Sequence, residues 1–418
     1  MKSYIIPCLK VSRLRMTLPR LFNKALPVLN EIEKCGFEAV FVGGSVRDFL
    51  LGRPINDVDI ATSAFPHEVK ELFPHTVDLG IEHGTVLVLY NGEPYEITTY
   101  RSEEGYNDYR HPKEVRFIRS LEQDLMRRDF TMNAIAMNRE GRLFDPFDGE
   151  KDITREMIRT VGNPSERLTE DALRIMRAVR FQSQLGFKLE QQTERALKEF
   201  SHLLPHVSIE RLLVEFDKLL AGPFISIAIN TLIEQSIYQH LFDLEDQKSE
   251  LEKFKNYVSS SSELTFDERW LLFIKLINKE DIHVFLTSLR LPNNRIKQLI
   301  KDLHFLDYSL QMKLTPYDYY QMGKERMLRV EKVRSVLTQS TVNIAEIIEV
   351  YDSLPIKERA ELCLNGNDLM NWTGRQPGPW LKGMIEEIEE EIAHRNLVNQ
   401  KEMVKEWVTR WNPPSNPR

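Results

Sequence analysis

The chain has 418 residues, 42% of them apolar and 28% charged, with 18 Gly and 20 Pro. A chain of this length predicts about three domains of roughly 150 residues each. The composition excludes disordered, collagen-like and fibrous classes. The formal net charge of −7 argues against a protein that coats nucleic acid over its whole surface. Any RNA contact must therefore come from a local basic patch.

The sequence predicts neither a membrane span nor a secretory signal. Apolar runs such as residues 86–90 reach about a quarter of the roughly 20 residues that a membrane helix needs. The first residues lack the apolar stretch of a signal peptide, and we interpret residues 1–15, before Met16, as an N-terminal extension. Distant cysteines exclude a disulfide framework and favour a reducing, cytoplasmic setting. They are Cys8, Cys35 and Cys363.

Residues 38–145 show a mixed α/β pattern. AVFV (39–42) predicts a strand, the two glycines a turn, VRDFLL the start of a helix, and DVDIA (57–61) a second strand. Asn91-Gly92 lies between two alternating apolar segments and predicts a hairpin. VRFI (115–118) predicts a further strand, and the polar stretch 101–112 before it predicts a mobile loop.

From about residue 150 onward the apolar spacing is helical. Glycine, proline or serine clusters at 222–223, 259–262 and 374–380 predict the joints between helices. The expected fold class is therefore α+β, with a mixed β-sheet head domain followed by helical domains.

Two motifs follow one another early in the chain. Gly43 and Gly44, between a strand and a helix, allow backbone amides to approach a phosphate, assisted by Arg47. Asp57 and Asp59 alternate with Val58, so on a strand both carboxylates project to one side, roughly 7 Å apart. Such a pair can bind divalent cations for phosphoryl or nucleotidyl transfer.

The segment GGSVRDFLLGRPINDVDIAT resembles the first motif of class II nucleotidyltransferases, the group of CCA-adding tRNA nucleotidyltransferases and bacterial poly(A) polymerases. RRDFTMNA (127–134) and EDALR (170–174) resemble two further motifs of this family. The motif-bearing stretch runs from about 38 to 187, and the helical remainder is similar in kind. The resemblance implies Mg²⁺ as cofactor, with Asp57 and Asp59 as its catalytic ligands.

The RRDFT segment offers guanidinium groups for triphosphate oxygens and a carboxylate for a ribose hydroxyl. By resemblance, Arg128 contacts the nucleotide and Asp129 senses the sugar.

The next motif predicts base recognition. We expect Asp171, Arg174, Arg177 and Arg180 on one helix, spaced three apart, with the first three on one face. Cytosine and adenine both present an amino donor beside a ring-nitrogen acceptor, so one carboxylate and one guanidinium suit these bases and reject guanine and uracil. Asp171 and Arg174 form that pair. Arg177 and Arg180 are expected to reach phosphates or the base stack.

Two further candidates are Glu96 and a polar loop. Glu96, on a predicted strand, is either a third carboxylate near the metal or a cross-strand ion-pair partner. The loop with Asp108 and Arg110 resembles the flexible loop that CCA-adding members use to progress from adding C to adding A.

The resemblance implies a nucleotidyltransferase that adds C, C and A to the tRNA 3′ end from CTP and ATP. The expected domains are a catalytic head (16–150), a helical neck that recognises the base (151–222), a helical body (223–320) and a tail that binds tRNA (321–418). A homodimer is left open. The alternatives are a poly(A) polymerase, an enzyme that adds only CC or A, or a catalytically silent RNA-binding module.

Overall fold

A computed structural model describes residues 18–79, 84–106, 112–260, 263–341 and 344–411. The chain divides into two compact units, Met1–Lys255 and Asn256–Arg418. In the described residues no helix is both long and apolar enough to cross a membrane. The expected finer division at 150, 222 and 320 stays a prediction.

The first unit contains most of the strands and the first ten helices. Its strands are β1 (Ala39–Val42), β2 (Asp59–Thr62), β3 (Thr76–Asp78), β4 (Thr85–Tyr90), β5 (Glu93–Thr99), β6 (Arg101–Tyr106), β7 (Pro112–Phe117), β8 (Ala136–Met137), β9 (Leu143–Phe144), β10 (Met157–Ile158) and β11 (Lys188–Leu189). Its helices are α1 (Arg20–Lys34), α2 (Gly43–Leu50), α3 (Pro66–Leu72), α4 (Leu121–Met126), α5 (Gly149–Thr154), α6 (Pro164–Glu170), α7 (Leu173–Leu185), α8 (Gln191–Phe200), α9 (Ile209–Ala221) and α10 (Ile225–Glu234).

The remaining elements are helical. They are α11 (Lys248–Ser260), α12 (Phe266–Ile277), α13 (Ile282–Ser288), α14 (Asn293–Gln311), α15 (Pro316–Met322), α16 (Lys324–Thr338), α17 (Ile344–Asp352), α18 (Gly366–Thr373), α19 (Trp380–Ala393) and α20 (Lys401–Trp411). The predicted joints fall at element ends: α9 stops before Gly222, α11 ends at Ser260, and 374–379 separates α18 from α19.

A seven-stranded mixed sheet has the order β3-β4-β5-β2-β1-β8-β9. β2 and β5 run parallel, whereas β1 is antiparallel to both β2 and β8. The register pairs Val42 with Asp59, so the last residue of β1 lies beside the first residue of β2. The predicted α+β class is confirmed, and this register brings the glycine motif next to the aspartate motif.

The predicted hairpin is confirmed. β4 and β5 pair antiparallel with Tyr90 opposite Glu93, and the two residues between them, Asn91 and Gly92, have φ of 52° and 80°. Positive φ at both central residues is what a two-residue hairpin turn of this twist requires, and Asn-Gly adopts it at low cost.

The loop predicted over 101–112 is wrong in its first half. Arg101–Tyr106 forms β6, which pairs antiparallel with β7, the strand predicted at 115–118. A ladder of backbone hydrogen bonds needs no apolar side chains, so a polar two-stranded ribbon escapes a search for apolar alternation. Asp108 and Arg110 lie outside the described residues.

Strands also persist beyond residue 150. β10 and β11, two residues each, form a short parallel pair beneath the helices of the first unit. Pairs of this length carry too few residues to produce a sequence period. In the second unit, a core cluster packs α18, α19 and α20 around residues such as Ile388, Ile392 and Val404.

Candidate active site

Gly43 sits where β1 ends and α2 begins, with φ of +71°. A Cβ at this position would lie 3.2 Å from Asp59 Oδ2 and 3.3 Å from Arg128 Nη1. Only glycine combines this backbone conformation with so close an approach. Gly44 follows in the first turn of α2, where a Cβ would lie 3.6 Å from Arg47 Nη2.

The two aspartates lie at the beginning of β2, but only Asp59 is on the strand. β2 starts at Asp59, and Asp57 precedes it in an irregular segment, so the expected strand over 57–61 begins two residues late. β1 ends at Val42, opposite Asp59, and therefore offers no partner for an earlier start. Both carboxylates nevertheless line one cavity.

The environment of Asp59 suits a cation. Burial raises the pKa of Asp59, the charges of Asp57 and Glu96 raise it further, and Arg128 and Arg47 oppose them. A divalent cation between Asp57 and Asp59 would relieve this repulsion. Glu96 neighbours Asp59 because β5 runs parallel to β2 with Ile97 opposite Ile60.

The described residues contain no group of three or more His, Cys, Asp or Glu side chains arranged to hold a metal. Two carboxylates are nonetheless a sufficient protein contribution for Mg²⁺, which keeps several waters and takes further oxygens from substrate phosphates. The donor set therefore fits a metal that completes its coordination with nucleotide.

Arg47 projects from α2 into the same cavity. It donates to both carboxylate oxygens of Asp48, at 3.0 Å each, and to Asn133 Oδ1 at 2.8 Å. Its guanidinium also lies 5.1 Å from the ring centroid of Phe181. These contacts fix the plane of the guanidinium before any ligand binds, and none of the three partners was identified from the sequence.

Arg128 is held in place by a buried aspartate. Asp124, 1% exposed, forms ion pairs with Arg127 at 2.9 Å and Arg128 at 3.2 Å. Burial opposes ionisation of Asp124, but Arg127 and Arg128 lower its pKa below the usual value. The carboxylate thus orients two guanidiniums, although α4 showed no signal for such a role in the sequence.

Asp129 is buried, and both of its carboxylate oxygens accept hydrogen bonds. It accepts from the Phe130 amide at 2.8 Å, from Asn133 Nδ2 at 3.0 Å and from Arg177 Nε at 2.8 Å. Burial would raise its pKa, but the Arg177 charge and these hydrogen bonds hold the pKa far below its ordinary value. The carboxylate is therefore ionised and fixed, and it still lines the cavity.

Asp171 is not on the helix of the three arginines, contrary to expectation. α6 ends at Glu170, Asp171 is extended with φ of −138°, and α7 begins at Leu173. Asp171 Oδ1 accepts from the Leu173 amide at 3.2 Å. Aspartate is a favoured residue at this position because its side chain satisfies a free amide of the first turn. The carboxylate therefore starts the helix instead of belonging to its face.

Asp171 and Arg174 both line the cavity. Burial raises the pKa of Asp171, opposed by Arg211, whose Nη2 lies 3.7 Å from it, and by Arg174. Arg174 is 5% exposed and donates from Nη2 to the Arg127 carbonyl at 3.0 Å. Its Nη1 is buried, makes no hydrogen bond in the described part of the chain, and lies 3.9 Å from Glu170 Oε2. A buried donor of this kind is costly unless a ligand completes it.

Arg177 and Arg180 belong to an ion network rather than standing free. Arg177 pairs with Asp129, and the Asp129 charge raises the pKa of Arg177. Arg180 Nε lies 2.5 Å from Glu215 Oε2, and its guanidinium is stacked 3.7 Å from the Phe181 ring centroid. Both arginines line the cavity, but each has an acid partner already.

One cavity of about 630 Å³ is lined by every predicted site residue that the structure describes, except the open candidate Glu96. They are Gly44, Arg47, Asp57, Asp59, Arg128, Asp129, Asp171, Arg174, Arg177 and Arg180. Arg127, the other guanidinium of the RRDFT segment, also lines it, and five further lining residues were given no role from the sequence: Asp48, Arg101, Asn133, Phe181 and Lys218. The lining carries eight Arg or Lys against five Asp, which suits a polyanion such as a triphosphate.

A signal for the α9 residues exists in the sequence. Arg211, Glu215 and Lys218 follow the helical spacing of four and three, so they form one polar stripe on α9, which also carries Glu210 and Asp217. A buried glutamate among leucines, as Glu215 is, indicates a partner on a neighbouring helix.

Three family models match this chain. The Poly A polymerase head domain matches residues 39–159, the model described as "Probable RNA and SrmB- binding site of polymerase A" matches 186–249, and tRNA nucleotidyltransferase domain 2 matches 264–408. The first of these contains the glycine and aspartate motifs.

Full-length relatives match as well. The chain is 45% identical to a CCA-adding enzyme of Bacillus cytotoxicus, over 94% of this chain and 99% of that relative. The Bacillus stearothermophilus CCA-adding enzyme in complex with CTP matches with a TM-score of 0.85 and 39% identity, over 94% and 98% of the two chains. The Thermotoga maritima enzyme, at 21% identity and a TM-score of 0.63, shares the fold. By sequence and by structure, this chain belongs to the family of CCA-adding enzymes.

Proposed function

We propose that this protein adds and repairs the 3′-terminal CCA of tRNA, using CTP and ATP without a nucleic-acid template and releasing pyrophosphate. One observation carries the proposal: a single cavity contains both the Asp57 and Asp59 carboxylates and the Asp171 and Arg174 pair. The chemistry of transfer and the recognition of the base thus occupy one site.

Asp57 and Asp59 hold the divalent cation, which we propose is Mg²⁺. A bound ion of this kind lowers the pKa of the attacking hydroxyl and neutralises charge on the triphosphate. The tRNA 3′-hydroxyl attacks the α-phosphate in line, and pyrophosphate leaves. Supporting this assignment, Asp59 is half-buried beside two other carboxylates, an arrangement that favours a cation.

The triphosphate is bound by Arg47, Arg128 and the backbone at Gly43 and Gly44. Asp48 and Asp124 hold the two guanidiniums in place, so little side-chain entropy is lost on binding. The missing side chain at Gly43 keeps phosphate, Asp59 and Arg128 within reach of one another.

Asp171 and Arg174 read the base. The carboxylate accepts from the exocyclic amino group and Arg174 donates to the ring nitrogen, a pattern that cytosine and adenine share. The buried Nη1 of Arg174, which makes no hydrogen bond in the described part of the chain, supports this role. Asp129 accepts a hydrogen bond from a ribose hydroxyl. Arg177, paired with Asp129, and Arg180, paired with Glu215, contact phosphates or the base stack.

The proposal extends to the location of the protein, its contacts with tRNA and its oligomeric state. The three distant cysteines favour the cytoplasm, and Cys35 and Cys363 are free thiols in the structure. The acceptor stem and elbow of tRNA are gripped by the helical domains through shape and phosphate contacts. A homodimer, which the resemblance leaves open, is testable by sedimentation.

The decisive experiment uses purified protein, Mg²⁺ and a tRNA lacking its last three nucleotides, with products resolved at single-nucleotide length. We expect two additions with CTP alone and three with CTP plus ATP. A long ladder with ATP alone would identify a poly(A) polymerase, and a stop after CC would identify a partial enzyme.

Asp59→Asn provides the catalytic control, matched by Asp78→Asn, an exposed aspartate on β3. The first change is expected to abolish extension, and the second to leave it intact. Equal extension by Asp59→Asn and the parent would remove the carboxylate pair from the mechanism. Absence of turnover in the parent, with tRNA still bound, would indicate a silent RNA-binding module.

A further inference from the structure

Arg167, three residues before the EDALR motif, contacts the backbone of another active-site segment. It lies on α6, and its side chain is 13% exposed. Its Nη2 donates to the carbonyl oxygens of Arg127 and Arg128, at 2.5 and 3.2 Å. These two carbonyls belong to the segment that carries the phosphate-binding guanidinium of Arg128. Arg167 therefore joins α6 to the backbone of that segment.

The same guanidinium binds Glu170, the last residue of α6. Residues three apart lie on one face of a helix, and Arg167 Nη1 donates to Glu170 Oε2. This carboxylate oxygen also lies 3.9 Å from Nη1 of Arg174. That second distance is too long for a hydrogen bond. Arg167 therefore binds the carboxylate that lies next to Arg174.

Arg174 is fixed through its other terminal nitrogen. Its Nη2 donates at 3.0 Å to the Arg127 carbonyl, the oxygen that also accepts from Arg167. Its Nη1 makes no hydrogen bond within the described ranges, although the residue is only 5% exposed. Two guanidiniums thus share one carbonyl, whereas the Glu170 carboxylate is hydrogen-bonded to Arg167 alone of the two. The Nη1 donor of Arg174 is thereby left for a ligand.

The Glu170 carboxylate is a potential competitor of the base for this donor. An ionised acceptor binds a guanidinium more strongly than a neutral ring nitrogen does. The gap between Glu170 Oε2 and Arg174 Nη1 is only about 1 Å longer than a hydrogen bond, so a small side-chain rotation would close it. The hydrogen bond from Arg167 opposes that rotation.

We propose that Arg167 is a positioning residue for base selection: by binding Glu170, it keeps Nη1 of Arg174 available to the ring nitrogen of cytosine or adenine. The inference rests on the proposed function, because it takes Arg174 as the group that reads the base. Arg167 does not line the cavity and acts through Arg174. Without Arg167, Glu170 pairs with Arg174, and the site loses its base preference while it keeps its affinity for the triphosphate.

The test compares CTP with UTP, which differ only in the base, by equilibrium binding to the full-length protein in the absence of tRNA. In Arg167→Met we expect the Kd for CTP to rise about tenfold, as for a lost hydrogen bond to a charged group, and the Kd for UTP to stay within about twofold. Arg128 keeps Asp124, so phosphate binding persists. A general loss of structure would instead weaken both nucleotides alike and would contradict the proposal.

The matched control is Arg155→Met, which removes an exposed arginine at the end of α5. Arg155 does not line the cavity, so both Kd values should equal those of the parent.

The second variant, Arg167→Met/Glu170→Gln, removes the competing charge as well. We expect it to bind CTP to within about threefold of the parent, because a neutral amide is a weaker acceptor than a carboxylate. This variant leaves no unpaired carboxylate at the site, so it tests the proposal even if Arg167→Met does not fold. A merely structural role for Arg167 predicts no such recovery.

An unchanged preference for CTP over UTP in Arg167→Met would overturn the proposal. So would a lost preference that Glu170→Gln does not restore, since Arg167 would then act only through the carbonyls that it binds. Equal binding of CTP and UTP by the parent would remove the base-reading role of Arg174, and this inference with it. Because binding needs no tRNA, failure of the parent to extend tRNA would defeat the proposed function and not this result.

Discussion

At the scale of single residues, the site depends on small side chains and on fixed charges. Gly43 leaves room for Asp59 Oδ2 and Arg128 Nη1, which would lie 3.2 and 3.3 Å from a Cβ. Asp171 occupies a break between two helices and caps the second. Backbone geometry therefore sets the positions of these side chains. Substitutions at Gly43 and Asp171 are expected to change the kinetics of the reaction more than the stability of the fold.

Gly43→Ala should lower kcat/KM for CTP strongly, because the new methyl group crowds Asp59 and Arg128. Gly52→Ala is a matched control: Gly52 also has positive φ, at +64°, but nothing lies within 4 Å of its Cβ position. Both variants pay about 1 to 2 kcal/mol of backbone strain. Steady-state kinetics should separate them by tenfold or more; equal kinetics would show that only strain matters.

The Asp171→Ala/Arg174→Ala double variant should accept GTP and UTP more readily. Leaving a polar group unpaired costs about 1 to 3 kcal/mol, so discrimination should weaken by about 30-fold or more for two groups. Single-nucleotide addition with each of the four nucleotides measures it. Phosphate binding, read as pyrophosphate inhibition, should persist. Unchanged rejection of GTP and UTP would refute base recognition by this pair.

At the scale of elements, α7 and α9 act together. α7 presents Arg177 and Arg180, and α9 supplies Glu215, which is 4% exposed and reaches both guanidiniums. The ring of Phe181 contacts three arginines, Arg47, Arg177 and Arg180. Their guanidinium carbons lie 3.7 to 5.7 Å from the ring centroid. The arginines are held by packing between helices, which neither helix provides alone.

Glu215→Gln should destabilise the first unit, because it leaves the buried guanidinium of Arg180 without its anion, while the half-buried Arg177 keeps Asp129. Breaking a buried ion pair costs about 3 to 5 kcal/mol, measurable by urea unfolding. Glu234→Gln, at an exposed position on α10, is the control and should change little. A loss in Glu215→Gln no greater than in the control would show that Arg177 and Arg180 do not depend on this carboxylate.

Phe181→Leu should change ligand binding more than stability. Leucine keeps an apolar side chain beside Phe130 but removes the ring face that the guanidiniums contact. Cation–π contacts contribute about 0.5 to 2 kcal/mol each, so the KM for both CTP and ATP should rise several-fold. Phe181→Tyr should restore it. An equal KM in all three proteins would assign Phe181 to the core alone.

At the scale of the whole molecule, cationic side chains are concentrated at particular cavities of an acidic chain. The chain has a net charge of −7, yet the cavity of the first unit carries eight Arg or Lys against five Asp, and the cavity between α14 and the beginning of α16 carries five Lys or Arg against one Glu. Buried carboxylates such as Asp124, Asp129 and Asp302 hold many of these cations. The stability of the protein is thereby linked to the ionisation of its buried acids.

This linkage predicts acid sensitivity. The pKa of Asp129 is lowered by folding, so its contribution to stability is complete above its unfolded pKa of about 3.9 and is lost as pH falls toward the folded value. Below the unfolded pKa the loss approaches about 1.4 kcal/mol per pH unit. The stability gap between the parent and Asp129→Asn should therefore narrow from pH 6 to pH 3. Thermal unfolding measures it, and a constant gap would contradict the linkage.

The sequence by itself determined the mixed head, the hairpin at Asn91-Gly92, and the motifs whose residues line the first cavity. Local patterns suffice there because strand alternation, turn conformation and motif spacing act over a few residues. Only the tertiary structure decided that Asp124 holds Arg128, that Glu215 reaches α7, and that polar β6 pairs with β7. These depend on packing and backbone pairing between distant segments, which no local period encodes.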